Sequence, residues 1–216
     1  ATEKNCKVNI KWINAEELKE KTIKDQLQNL NGVLVAPGFG DRGIEGKINA
    51  IQFVRENNIP FLGICLGMQC AVIEYARNVL KMTDANSTEM DSKTKSPVID
   101  IMENQHNIEN KGGTMRLGSY KCILDKNSNS YNAYQSKNIQ ERHRHRYEFN
   151  NKYITDFNNS GMSCVGENPE NKLIEIVEIP SHPWFVGVQF HPEYSSTVLN
   201  PHPLFSGFID ACIKNK

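Results

Sequence analysis

Two unbroken apolar runs bracket a helical stretch, and no other feature constrains the fold as much. Val33, Leu34, Val35 and Ala36 form a short, β-branched run that stops at Pro37-Gly38-Phe39-Gly40. That is the pattern of a buried strand ending in a turn. Ile48, Ala50, Ile51 and Val54 then recur at helical spacing as far as Asn57-Asn58, residues 59–64 form the next buried run, and a second helical run covers residues 68–80. Upstream, Val8, Ile10 and Trp12 alternate with polar residues, the period of a half-buried strand, and Asn14 with Glu17 marks a helix start. Strand and helix thus alternate. A parallel connection needs a crossover, which a helix supplies, so the expected class is α/β, a mostly parallel central sheet with helices on both faces. Ligand sites in such sheets lie at the strand C-terminal ends.

The polar stretch 84–150, rich in Asn, Ser and Lys, carries only the short apolar runs 98–102 and 115–124. A small antiparallel β section with mobile loops is expected there. Residues 173–179 and 185–190 alternate as strands do, and residues 204–213 read as a closing helix. A chain of 216 residues with 38% hydrophobic content can bury one substantial core, so residues 1–216 are expected to form a single domain.

Lys and Arg number 25 and Asp and Glu 25, so there is no global basic excess of the kind that phosphate neutralisation or an anionic membrane surface calls for. No stretch approaches the roughly twenty apolar residues of a membrane span. Six cysteines are scattered without a CxxC pair, which reads as reduced thiols in a cytoplasmic protein.

Chemistry concentrates at Gly63-Ile64-Cys65-Leu66-Gly67, where a buried strand hands over to a helix. Glycines on either side permit the tight turn of a nucleophile elbow, here with cysteine in the nucleophile position. A helix N-terminus also favours thiolate, the attacking species. The pentapeptide alone also allows a packed structural cysteine, though the nucleophile is the favoured reading. A thiol nucleophile needs a base, and Gln189-Phe190-His191-Pro192-Glu193 offers one: His191 and Glu193 are two residues apart, so an extended backbone turns both to one face. His182 and His202 sit beside prolines in expected loops, and His106 lies in a polar segment.

In the run 141–148, His143 and His145 could point two rings at one ion, but Arg142, Arg144 and Arg146 interleave with them and would repel a cation. No metal is expected. An anionic ligand fits these charges, and a solvated basic strand balanced by Glu141 and Glu148 is the other reading.

The sequences around Cys65 and His191 resemble the paired signatures of the class I, triad-type glutamine amidotransferases. Asn86-Ser87-Thr88-Glu89, the run 112–118 (GGTMRLG), the run 141–148 (ERHRHRYE) and His182-Pro183-Trp184-Phe185 narrow the resemblance to the C-terminal glutaminase domains of the CTP synthase family. It extends from about Val8 to Ile213. It implies a flavodoxin-like core, Cys65, His191 and Glu193 as catalytic triad, and backbone NH groups of Gly38 and Leu66 as oxyanion hole. L-Glutamine would be bound by Gly38, Leu66, Gly67, Met68, Gln69, Glu89 and Arg146.

The resemblance further implies that ammonia passes to a synthase domain upstream, outside this chain, where ATP and Mg would act on UTP to form CTP. No cofactor is expected in the glutaminase part, and the full-length enzyme is expected to be a homo-oligomer. Where that family commonly reads Pro-Gly-Gly-Phe-Gly, this chain has Ala36-Pro37-Gly38-Phe39-Gly40, which fixes φ at Pro37 just before the oxyanion glycine. A free-standing γ-glutamyl hydrolase with the same triad is the alternative enzyme, and a non-catalytic binding module the alternative of another class.

Overall fold

The computed structural model describes residues 2–101 and 115–215. After an extended N-terminal segment come helix α1 (Ile23–Leu27), strand β1 (Val33–Val35), helix α2 (Ile44–Glu56), strand β2 (Phe61–Ile64) and helix α3 (Leu66–Asn78). The middle of the chain supplies β3 (Asn86–Ser87), β4 (Pro97–Ile101), β5 (Arg116–Leu124), α4 (Asn129–Tyr134), β6 (Asn138–His145) and β7 (Tyr147–Phe149). It closes with α5 (Ile154–Ser160), β8 (Ser163–Glu167), β9 (Ile174–Glu178), β10 (Phe185–Val188) and α6 (Pro203–Lys214). His106 and residues Gly112, Gly113 and Thr114 lie outside the described residues.

The α/β class expected from the sequence is the one observed. Seven strands form a sheet in the order β1-β2-β10-β9-β8-β5-β6, and β3, β4 and β7 form a second. β1, β2 and β10 run parallel, whereas β10, β9, β8, β5 and β6 pair antiparallel, so the sheet is mixed and its antiparallel part is the wider one. It also curls: the amide of His191, just beyond β10, donates to the Arg142 carbonyl of the far edge strand β6 at 2.8 Å.

Strand alternation divides the core into two layers. Phe61 and Phe185 pack with α2 and α3 through Ile48, Ile51, Val54, Met68 and Val72. Their neighbours Leu62 and Val186 turn to the opposite face, against Leu204 and Phe208 of α6. Helix α3 is buried continuously from Leu66 to Ala76, wedged between the two sheets and α2. A helix buried on every side is held by its surroundings in position and in rotation, and α3 carries Cys65 at its N-terminus.

One expected element is absent. Val8, Ile10 and Trp12 are 41%, 70% and 88% exposed, and no strand forms there. β1 pairs only with β2, so the alternating residues have neither a ladder nor an apolar layer to face. Asn14 does cap, accepting from Glu16 N at 3.2 Å, but it caps a single 3-10 turn, Ala15–Glu17.

Candidate active site

Cys65 occupies the strand-to-helix junction with φ 52° and ψ −102°, a left-handed backbone that a non-glycine residue adopts only where its surroundings impose it. Two glycines make room for it. A Cβ on Gly63 would stand 2.7 Å from the Gly67 carbonyl carbon, and one on Gly67 would stand 2.3 Å from the Val35 carbonyl oxygen. The first turn of α3 therefore lies directly on the end of β1. Cys65 N donates to the Val188 carbonyl at 2.7 Å, which ties the elbow to the neighbouring strand β10.

Burial pushes the Cys65 thiol up to about 12, opposed by the Leu66 backbone amide and reinforced by the charges of Glu148, Glu193 and Glu89. Unaided, the sulfur is neutral at physiological pH. It needs a partner to take its proton.

That partner follows from the register of the sheet. Gly63 pairs with Gly187 and Ile64 with Val188, so the two parallel strands end side by side and their continuations, Cys65 and the segment 189–193, emerge together. His191 Nδ1 lies 2.6 Å from Glu193 Oε1. An ionised Glu193 keeps the proton on Nδ1, leaving the lone pair on Nε2. His191 is 6% exposed and its Nε2 has no hydrogen-bond partner, while the Tyr194 ring stacks on the imidazole at 5.2 Å. A buried imidazole with one nitrogen held by a carboxylate and the other unpaired is a base awaiting a proton.

The remaining residues expected around a ligand fall into two groups. Gly38 lies over Leu66, whose Cδ2 would be 3.1 Å from an added Cβ, so the loop after β1 covers the first turn of α3. Glu89 joins this loop by accepting from Gly40 N at 3.3 Å. The charges of Glu89 and Arg146 both act on the Tyr147 hydroxyl, with opposite sign. Met68 and Gly67, by contrast, face inward, Met68 against Gly187 and Gly67 against Val35, so only their backbone is available to a ligand. Gln69 is 3% exposed and donates to the Tyr147 carbonyl at 3.1 Å and to Gln189 Oε1 at 3.3 Å.

Strand β6 resolves the two readings of the run 141–148. Its burial alternates strictly, with Glu141, His143 and His145 inside and Arg142 and Arg144 outside. The strand is therefore solvated on one face only, and no cluster of His, Cys, Asp or Glu suited to a metal occurs among the described residues. The inward rings meet Glu148, which the sequence reading set against the arginines, and two charges that it did not single out, Arg116 and Glu175. Arg116, 4% exposed, reaches Glu175 at 2.6 Å and Glu148 at 3.3 Å; His145 contacts Glu148 at 2.8 Å and His143 contacts Glu175 at 3.4 Å. Burial and the nearby Arg116 hold His143 neutral. Arg116 sits in an apolar run and Glu175 in a strand, so only the inward period of β6 hinted at this interior.

Comparison with known proteins adds a family. The profile described as "Glutamine amidotransferase class-I" matches residues 1–211. A CTP synthase of Bacteroides fragilis is 61% identical over 99% of this chain and 40% of its own length. One of Clostridium acetobutylicum is 58% identical over 98% of the chain and 40% of its own length. The chain thus spans about 40% of the length of these curated relatives. Among solved structures, a Trypanosoma brucei CTPS glutaminase domain with bound acivicin superposes with a TM-score of 0.92 at 37% identity, covering 99% of this chain and 84% of that one.

Proposed function

Since this chain belongs to the class-I glutamine amidotransferase family, we propose that it is the glutamine-hydrolysing part of a CTP synthase and that Cys65, His191 and Glu193 carry out the hydrolysis. The observation that carries the reading is the meeting of two strand ends. β2 delivers Cys65 in a forced turn, and β10, its parallel neighbour, delivers a carboxylate-held imidazole with an unpaired Nε2.

In this reading Cys65 Sγ attacks the carbon of the glutamine side-chain amide while its proton passes to His191 Nε2. The oxygen gains negative charge as the carbon becomes tetrahedral, and donors already in place lower that barrier. The amides of Gly38 and Leu66 serve, and the packing of Gly38 against Leu66 supports their acting together. The carbon–nitrogen bond then breaks, His191 returns its proton to the leaving nitrogen, and ammonia and a thioester result. Water, deprotonated by His191, splits the thioester into glutamate and free thiol. Arg146 pairs with the α-carboxylate of glutamine and Glu89 with its α-ammonium, an assignment supported by their opposite charges, both of which act at Tyr147.

The ammonia would serve a synthase portion of the longer polypeptide, where ATP, Mg and UTP would bind; relatives two and a half times as long as this chain support that extent. No helix among the described residues is long and apolar enough to cross a membrane, and no disulfide joins the cysteines, both in keeping with a cytoplasmic enzyme. Cys65→Ala should lower glutamate release about 10³-fold or more while leaving the thermal transition in place. Undiminished release by that variant would remove Cys65 from the mechanism.

A further inference from the structure

Gln189 is completely buried and its side chain ends at the nucleophile, with Nε2 3.7 Å from Cys65 Sγ. Which end of a glutamine amide faces a sulfur is normally an assignment, because its oxygen and nitrogen look alike. Here a chain of contacts decides it. The Tyr147 carbonyl can only accept, so the end of Gln69 that reaches it at 3.1 Å is the NH₂ group. The same NH₂ group lies 3.3 Å from Gln189, which must therefore offer its oxygen. Gln189 then has only its NH₂ group left to turn towards Cys65.

From this geometry we propose that Gln189 is a further residue acting directly on the nucleophile: its amide, locked by Gln69 and the Tyr147 carbonyl, donates to Cys65 Sγ and favours the charged sulfur. A thiol is a weak acceptor and a thiolate a strong one, so a donor fixed at this place stabilises one protonation state over the other. Two side chains leave the segment after β10 on the same face. Gln189 meets the sulfur with a donor, and His191 presents the unpaired Nε2 that takes the proton. Burial works against the thiolate at this position, which is where such a donor has most to offer. Gln69, assigned above to glutamine, gains a second task as the positioning residue for Gln189.

The inference takes its meaning from the glutaminase reading but is tested without glutamine. Iodoacetamide alkylation of Cys65 in the full chain, followed by peptide mass mapping to separate it from the other cysteines, gives the pH midpoint of that sulfur. Gln189→Leu, similar in size but without a donor, should raise the midpoint by about one unit and slow alkylation at neutral pH about tenfold. Gln69→Leu, which frees the amide to turn over, should shift it in the same direction by less. The double variant should match Gln189→Leu alone, because the second change acts only through the first. An unchanged midpoint in folded Gln189→Leu overturns the proposal. Should that variant not fold, Gln69→Leu decides alone, an unmoved midpoint again overturning it. A moved midpoint in a chain that releases no glutamate would retain the donor and discard the glutaminase.

Discussion

The two halves of the large sheet solve opposite problems. In the parallel half, β1, β2 and β10 with α2 and α3, the interior is apolar apart from Gln69 and the Arg55–Glu74 pair between the two helices, and the site is made largely by backbone: a forced φ at Cys65, two glycines without room for a Cβ, and amides at a helix start. In the curled antiparallel half the interior is ionisable, with Arg116, Glu148, Glu175, His143 and His145 all under a tenth exposed. One half positions atoms and the other positions charge, and the two meet at the segment 189–193. The lesson is that they should fail differently: the first through sterics whatever the pH, the second through charge and with pH.

The largest effect is expected from Arg116→Met. It removes the guanidinium between Glu148 and Glu175, and a buried pair that loses one partner costs about 3–5 kcal/mol. Adding Glu148→Gln and Glu175→Gln should recover most of that loss in urea unfolding. If the single variant is as stable as the parent, charge is not what holds this half together. Gly67→Ala should cost less, about 1–3 kcal/mol, the usual range for overpacking, because β1 and α3 can separate by a little. Its Cβ would stand 2.3 Å from the Val35 carbonyl oxygen, a clash that no change of pH relieves. Equal losses at pH 6 and pH 8 in urea unfolding are the outcome that supports the contrast.

The sequence made these halves legible to different degrees, for a physical reason. The elbow is local: a β-branched run, two glycines and a helical run follow one another within a few residues, so Cys65 and both flanking elements could be placed. His191 and Glu193 could be placed as a pair because an extended backbone puts alternate residues on one face. The interior of the second half depends on curl. Whether His143 and His145 face water or a closed core is decided by β6 returning to the segment after β10, a contact between Arg142 and His191 far apart in the chain. The same dependence misled the reading of Val8, Ile10 and Trp12, whose alternation is a strand pattern without a neighbouring strand.

The smallest expected change is also the one that most directly separates the two halves. With both carboxyls ionised, Arg116 would be shared by two buried negative charges, so the fold favours keeping a proton on one of them. Burial pushes Glu175 from its ordinary 4.5 up to about 8 despite the neighbouring guanidinium. A group that holds its proton more tightly when folded adds stability below its unfolded value, and that stability is lost as pH rises towards the folded one. From about pH 5 to 8 the folded chain therefore carries more bound proton than the unfolded chain, and unfolding free energy falls by at most about 1.4 kcal/mol per pH unit on account of this group. Glu175→Gln keeps an oxygen for Arg116 and has nothing to ionise. Urea unfolding at pH 6 and pH 7 should show the variant gaining on the parent by about 1 kcal/mol across that one unit. A parallel pair of lines would mean that Glu175 is already ionised in the folded chain.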